Sequence, residues 1–207
     1  MINLGRNPAL IVIDMQNGFC RAEGFMNKLG LDWTMSAEVI EPNRRLLEAA
    51  RAAAIPIFFT RYSLNEDYSD GGLILDLFPG LAGSGGMVRG TWDAAVIDEL
   101  APHEGEHVID KTRYTAFYGT DLEEKLRELG TDTLIVSGVT TECCVESTIR
   151  DAFFRDIRIL IPEDATAATS QQRHEDALRV ITYAFGTVTS VNELAEALAR
   201  LSQAVTR

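Results

Sequence analysis

Three side chains in this 207-residue chain have the chemistry for nucleophilic hydrolysis: the carboxylate of Asp14, the ammonium of Lys111 and the thiol of Cys144. A thiol attacks carbonyl carbon once a base takes its proton and a cation favours its charge. Each group closes or follows a short apolar run. Asp14 follows ALIVI, Lys111 follows HVID, and Cys144 ends the Thr140–Cys144 segment after TLIVSG. Such runs suit strands covered on both faces. Open parallel sheets bind ligands beyond the carboxyl ends of their strands, so all three groups are expected at one rim. Taken singly, each has a plainer role. An acid after a strand is often a turn or cap residue, a lysine a solvated charge, and a free cysteine a small core hydrophobe. Their convergence favours chemistry.

The elements that must hold these groups alternate along the chain. Ala9–Ile13 reads as the first strand, and Ser36 as the cap of a helix reaching about Ala54, with Val39, Ile40, Leu46, Leu47 and Ala50 near helical spacing. Strands follow at Ile55–Thr60, His107–Lys111, Thr133–Gly138, Ile157–Pro162 and Thr187–Thr189. Helices are expected from the Thr120–Glu123 capping box to Gly130, over about Glu142–Arg155, over about Gln171–Phe185, and from the Ser190–Glu193 capping box onward. Residues 61–92 are glycine-rich and aperiodic; they could cover a site, form a contact surface or have no role. The alternation predicts an α/β fold of three αβα layers. It has a single doubly wound, mostly parallel six-stranded sheet with helices on both faces, in one domain over 1–207.

Composition narrows the partners. The apolar share of 46% and charged share of 24% are globular values. The net charge of -12 disfavours nucleic acid and anionic membranes. No run approaches the roughly 20 apolar residues that span a bilayer. The N-terminal segment lacks a basic start and a small-residue cleavage site, so it reads as a buried strand. Cys20, Cys143 and Cys144 form no disulfide framework, and a cytoplasmic setting follows. The adjacent Cys143 and Cys144 are also poorly placed for reversible disulfide exchange. His103, His107 and His174 are scattered and lack metal-ligand spacing, so no metal and no cofactor is expected.

The segments ALIVIDMQNGF, DKTRYTAF, VSGVTTECCVESTIRDAFF and PEDAT, in this order, resemble the isochorismatase-like cysteine hydrolases over nearly the whole chain. The resemblance implies a triad of Asp14, Lys111 and Cys144, since the family's cysteine stands just before Val. It also implies a cis peptide at Val139–Thr140 and an oxyanion hole formed by the backbone N–H groups of Thr140 and Cys144. The implied activity is hydrolysis of a linear amide through a thioester, by a homo-oligomer (a dimer or tetramer).

Within that family, nicotinamidases carry a D-x-H-x-x-x-H metal pattern after the second strand; here the region reads FFTRYSLNEDYSDGG, without histidine. Isochorismatases proper cleave a vinyl ether and lack the cysteine. The remaining resemblance is to ureidoacrylate amidohydrolases, biuret hydrolases and N-carbamoylsarcosine amidohydrolases, which implies a small amide, ureido or carbamoyl substrate. A member that only binds a ligand is the alternative from another class. Candidate substrate contacts are Phe19, Arg61, Tyr114, Phe117 and Glu142. Phe19 and Phe117 follow Asp14 and Lys111 and would wall a pocket; Arg61 would pair with a carboxylate; Glu142 would take a ureido N–H.

Overall fold

The computed structural model describes residues 2–205, with side chains to Gln203. Among these residues the strands are β1 (Pro8–Ile13), β2 (Ile57–Tyr62), β3 (His107–Lys111), β4 (Thr133–Val139), β5 (Arg158–Pro162), β6 (Thr166–Ala167) and β7 (Thr187–Thr189). The longer helices are α1 (Ile40–Ala52), α2 (Leu122–Glu128), α3 (Glu146–Phe153), α4 (Gln171–Ala184) and α5 (Val191–Val205). The sheet order is β3-β2-β1-β4-β5-β7, every pairing is parallel, and the two-residue β6 adds to the end of β4. The path therefore has the six expected strands, and β6 is a short addition. Every position of β1 and β4 is buried, as a sheet covered on both faces requires. α1 and α5 pack against each other, and α3 packs against β5 and α4.

β1 and β4 lie side by side at the centre, with β2 and β3 on one flank and β5 and β7 on the other. This is the topological switch point, where a crevice opens beyond the strand ends. Gly138 permits the close approach there. Its φ is +101°, and a Cβ on it would stand 2.1 Å from the Ile13 carbonyl oxygen. No other residue type fits that contact.

Three local expectations shift for identifiable reasons. The first long helix begins at Ile40, which puts Pro42 in its opening turn, where proline is tolerated. Ser36 therefore caps nothing; it is buried in a short preceding helix, Thr34–Glu38, with its hydroxyl unpartnered. β2 starts two residues late. Ala54, at φ +53°, and Ile55, whose N–H reaches the Ala50 carbonyl, still belong to the exit from α1. Of the two capping boxes, only the second closes: Glu193 N–H meets Ser190 Oγ at 3.3 Å, and Ser190 N–H meets Glu193 Oε2 at 3.2 Å. In the first, Glu123 turns instead to Arg155.

Candidate active site

The ends of β1, β3 and β4 bring Asp14, Lys111 and Cys144 together. Asp14 is fully buried and sits at φ +49°, a left-handed conformation that is costly for a residue with a Cβ. Thr60, inside the adjacent strand β2, holds it there. The Asp14 N–H donates to Thr60 Oγ1 at 3.1 Å, and the Thr60 hydroxyl donates to Asp14 Oδ1 at 2.6 Å. Oδ2 faces the Lys111 ammonium at 2.7 Å and has no further donor. β3 is two strands away from β1, so a long side chain is needed to bridge β2. Lys111 runs over the Tyr62 ring, with Nζ 4.5 Å from its centroid, and donates to the Arg113 carbonyl at 3.1 Å.

The segment after β4 does not begin as a regular α-helix. The Val139–Thr140 peptide is cis. Thr141–Val145 then forms a π-helical turn, in which the Val145 N–H reaches the Thr140 carbonyl at 3.2 Å. Such wide turns are frequent at functional sites. α3 begins only at Glu146. The turn is tied down from both sides. Thr148 Oγ1 donates to the Cys144 carbonyl at 2.7 Å, and Thr141 Oγ1 lies 2.9 Å from Nδ1 of the buried His174 on α4.

The electrostatics separate the two adjacent cysteines. Burial pushes the Cys144 thiol well above the ordinary range; Lys111 pulls it down, while Asp14 pushes it up again. Burial alone would lower Lys111, but the charges of Asp14 and Cys144 outweigh it and leave the ammonium more basic than usual. Cys143 is raised by burial and by Glu142, and Arg173 opposes this. Only Cys144 faces the carboxylate–ammonium pair.

A cavity of about 350 Å³ opens above Cys144. Of the five expected substrate contacts, Phe19, Tyr114 and Glu142 line it, beside Thr140, Cys143 and Cys144. Arg61 does not. With β2 displaced by two residues, Arg61 lies inside the strand and pairs with Asp110 of β3 at 2.8 and 3.0 Å. Phe117 does not either; it is buried beneath the Arg155 guanidinium, whose Cζ is 4.5 Å from its ring centroid. Most of the wall comes from residues with no motif. Phe25, Met26 and Leu29 come from the segment after Phe19, and Ile74, Phe78 and Leu81 from the 61–92 excursion, which thus forms part of the site. Thr60 had a usable signal: a hydroxyl residue closing the expected strand Ile55–Thr60, next to the strand that ends at Asp14. Among the described residues no His, Cys, Asp and Glu cluster has metal-binding geometry. None of the described helices is long and apolar enough to cross a membrane.

The profile of the isochorismatase domain matches residues 8–193. The chain is 35% identical to the ureidoacrylate amidohydrolase RutB of Serratia proteamaculans (strain 568), over 94% of this chain and 84% of that one. Among solved structures, it superposes on a cysteine hydrolase from Pseudomonas syringae pv. phaseolicola 1448A with a TM-score of 0.87 and 33% identity, covering 94% and 93% of the two chains. It also superposes on N-carbamoylsarcosine amidase from Thermoplasma acidophilum with a TM-score of 0.72 and 29% identity, over 90% and 97%.

Proposed function

The chain belongs to the isochorismatase family, and on that premise we propose that it is a cysteine-dependent amidohydrolase cleaving the C–N bond of a small amide, ureido or carbamoyl compound. The observation that carries this reading is one contact set: a buried thiol facing a buried carboxylate–ammonium pair, on the floor of a cavity. The names of the relatives support the same bond class.

Burial pushes the Cys144 thiol above its ordinary range, which favours the neutral form, and the base acts as the sulfur attacks. Asp14 takes the proton while Lys111 holds the carboxylate in place and offsets the negative charge. The S–C bond forms, and the oxyanion lies against the backbone N–H groups of Thr140 and Cys144; one such donor contributes roughly 3–4 kcal/mol. Asp14 returns its proton to the departing nitrogen as the C–N bond breaks. Water then attacks the thioester with Asp14 again as base, the acid leaves, and the proton returns to sulfur.

The same reading takes residues 1–207 as one domain acting on a small molecule in the cytoplasm, as a dimer or tetramer. A monomer by light scattering would remove the last part. The activity test is ammonia release from a panel of biuret, ureidoacrylate, N-carbamoyl amino acids, nicotinamide and maleamate, without added metal and with Cys144→Ala in parallel. Turnover that disappears in the variant is expected. Equal turnover by both proteins would place the chemistry elsewhere.

A further inference from the structure

The cavity lining is at odds with a small anionic substrate such as ureidoacrylate. Its walls are apolar, with Phe25, Leu29, Ile74, Phe78 and Leu81 facing the space above the thiol. An apolar cavity of about 150 Å³ already accommodates benzene, and this one measures about 350 Å³. Among the described residues, Arg173 is the one cationic side chain in the lining; it is exposed to solvent and donates to Thr169 Oγ1. Lys111 is committed to Asp14. A substrate carboxylate would therefore be desolvated against hydrocarbon and without a buried partner.

Glu142 adds a second selection. Its Oε1 accepts from the Thr169 N–H at 3.0 Å and from the Thr169 hydroxyl at 2.6 Å. Its Oε2 is buried with no partner. Glu142 lines the cavity, and a buried acceptor left bare there is expensive unless a donor reaches it. It attracts N–H donors and repels carboxylates.

We propose that this site selects a terminal carboxamide or carbamoyl group carried on an uncharged, apolar body, with Glu142 Oε2 accepting one of the group's N–H donors. The proposal rests on the amidohydrolase reading and names its substrate class. The apolar body fills the Phe25–Phe78–Leu81 side. Hydrolysis follows the steps above, giving ammonia and the acid, or the carbamic acid from a urea.

The test compares kcat/KM for phenylacetamide and phenylurea with that for succinamate and ureidoacrylate, in the wild type, Glu142→Gln and Cys144→Ala. At least one of the apolar pair should exceed both anionic compounds by tenfold or more in the wild type; which one does distinguishes amide from urea. In Glu142→Gln the two bonds from Thr169 pin the glutamine carbonyl, so its NH2 replaces Oε2. Donor then faces donor, and the apolar substrates should lose about tenfold while the anionic ones gain severalfold. Cys144-dependent turnover that is equal or better for the anionic pair would overturn this inference and leave the amidohydrolase reading standing. A uniform loss across all four compounds in Glu142→Gln would remove Glu142 from recognition. No Cys144-dependent turnover of these four, with turnover of biuret or an N-carbamoyl amino acid, would overturn this inference alone; silence across that wider panel as well would overturn both readings.

Discussion

The rim of the cavity and its wall are built by different means. At the rim, strand register does the positioning. β1 and β4 are paired from Pro8 with Thr133 to Ile13 with Gly138, and Tyr62 is paired with Lys111, so the groups beyond them have little freedom. The wall has no such ladder. Its two loops are joined through one buried carboxylate: Asp93 accepts the Phe25 N–H at 3.0 Å and the Met87 N–H at 2.9 Å. Gly18 packs against it so closely that a Cβ would come within 2.5 Å of Asp93 Oδ2. A rim built on the sheet and a wall built on loops let the substrate change while the chemistry stays in place.

The comparison breaks most sharply at Cys144. Replacing it with Ala removes only a sulfur from a buried turn, so the melting temperature should hold while kcat falls by more than about 10⁴-fold. Intact activity would detach the rim from the chemistry altogether. Lys111→Ala comes next, and here stability fails together with rate. It strands the buried Asp14 carboxylate beside an empty space, which should cost about 3–5 kcal/mol in denaturant unfolding. A loss below about 1 kcal/mol would mean that the pair is less coupled than its 2.7 Å contact indicates. The pair also carries a pH signature. The folded Lys111 is more basic than the free side chain, so its contribution is fully present below the ordinary lysine range and is lost as pH climbs through the raised value.

The wall should respond in the other kinetic constant. Asp93→Ala orphans two buried N–H groups, which predicts about 1–3 kcal/mol of destabilisation. Because the loops it joins carry Phe25 and Met87, KM should rise severalfold while kcat changes little. A variant that loses kcat at unchanged KM would show that the wall positions the reacting atoms too, and the division drawn above would fall.

The same division governs what could be read from the residues alone. Asp14 and Lys111 stand out because each terminates an apolar run, and the Thr140–Cys144 segment because it follows one, and parallel topology sends all such ends to one edge; the choice of Cys144 over Cys143 rests on the family resemblance. The strands followed for the same reason, with β3 and β7 found at their bounds. Arg61 was misplaced by a two-residue error in one strand start, because the exit from α1 consumed Ile55 and Pro56. Phe25, Ile74, Phe78 and Leu81 were not legible. They lie in short helical turns without a periodic face, and tertiary contacts, those of Asp93 and of Asn17 with the Trp92 carbonyl among them, bring the two loops over the thiol. The π-helical turn was hidden too, since its sequence reads as an ordinary helix start.

The smallest expected effect is the most exacting test of the rim. Cys143 and Cys144 are neighbours, both reach the cavity, and both thiols are raised by burial. What separates them is the charges they face. Cys144 meets Lys111 and Asp14, whereas Cys143 meets Glu142, Arg173 and Glu146, and no buried carboxylate–ammonium pair. If position relative to the strand ends decides which sulfur reacts, Cys143→Ala should change kcat/KM by only about twofold, as for a substitution worth within about 0.5 kcal/mol. Steady-state kinetics of the two alanine variants side by side read this directly. A large loss in Cys143→Ala with activity kept in Cys144→Ala would assign the nucleophile to the other sulfur. Asp14 and Lys111 would then be a structural pair, and the catalytic base would have to be sought among the charges around Glu142.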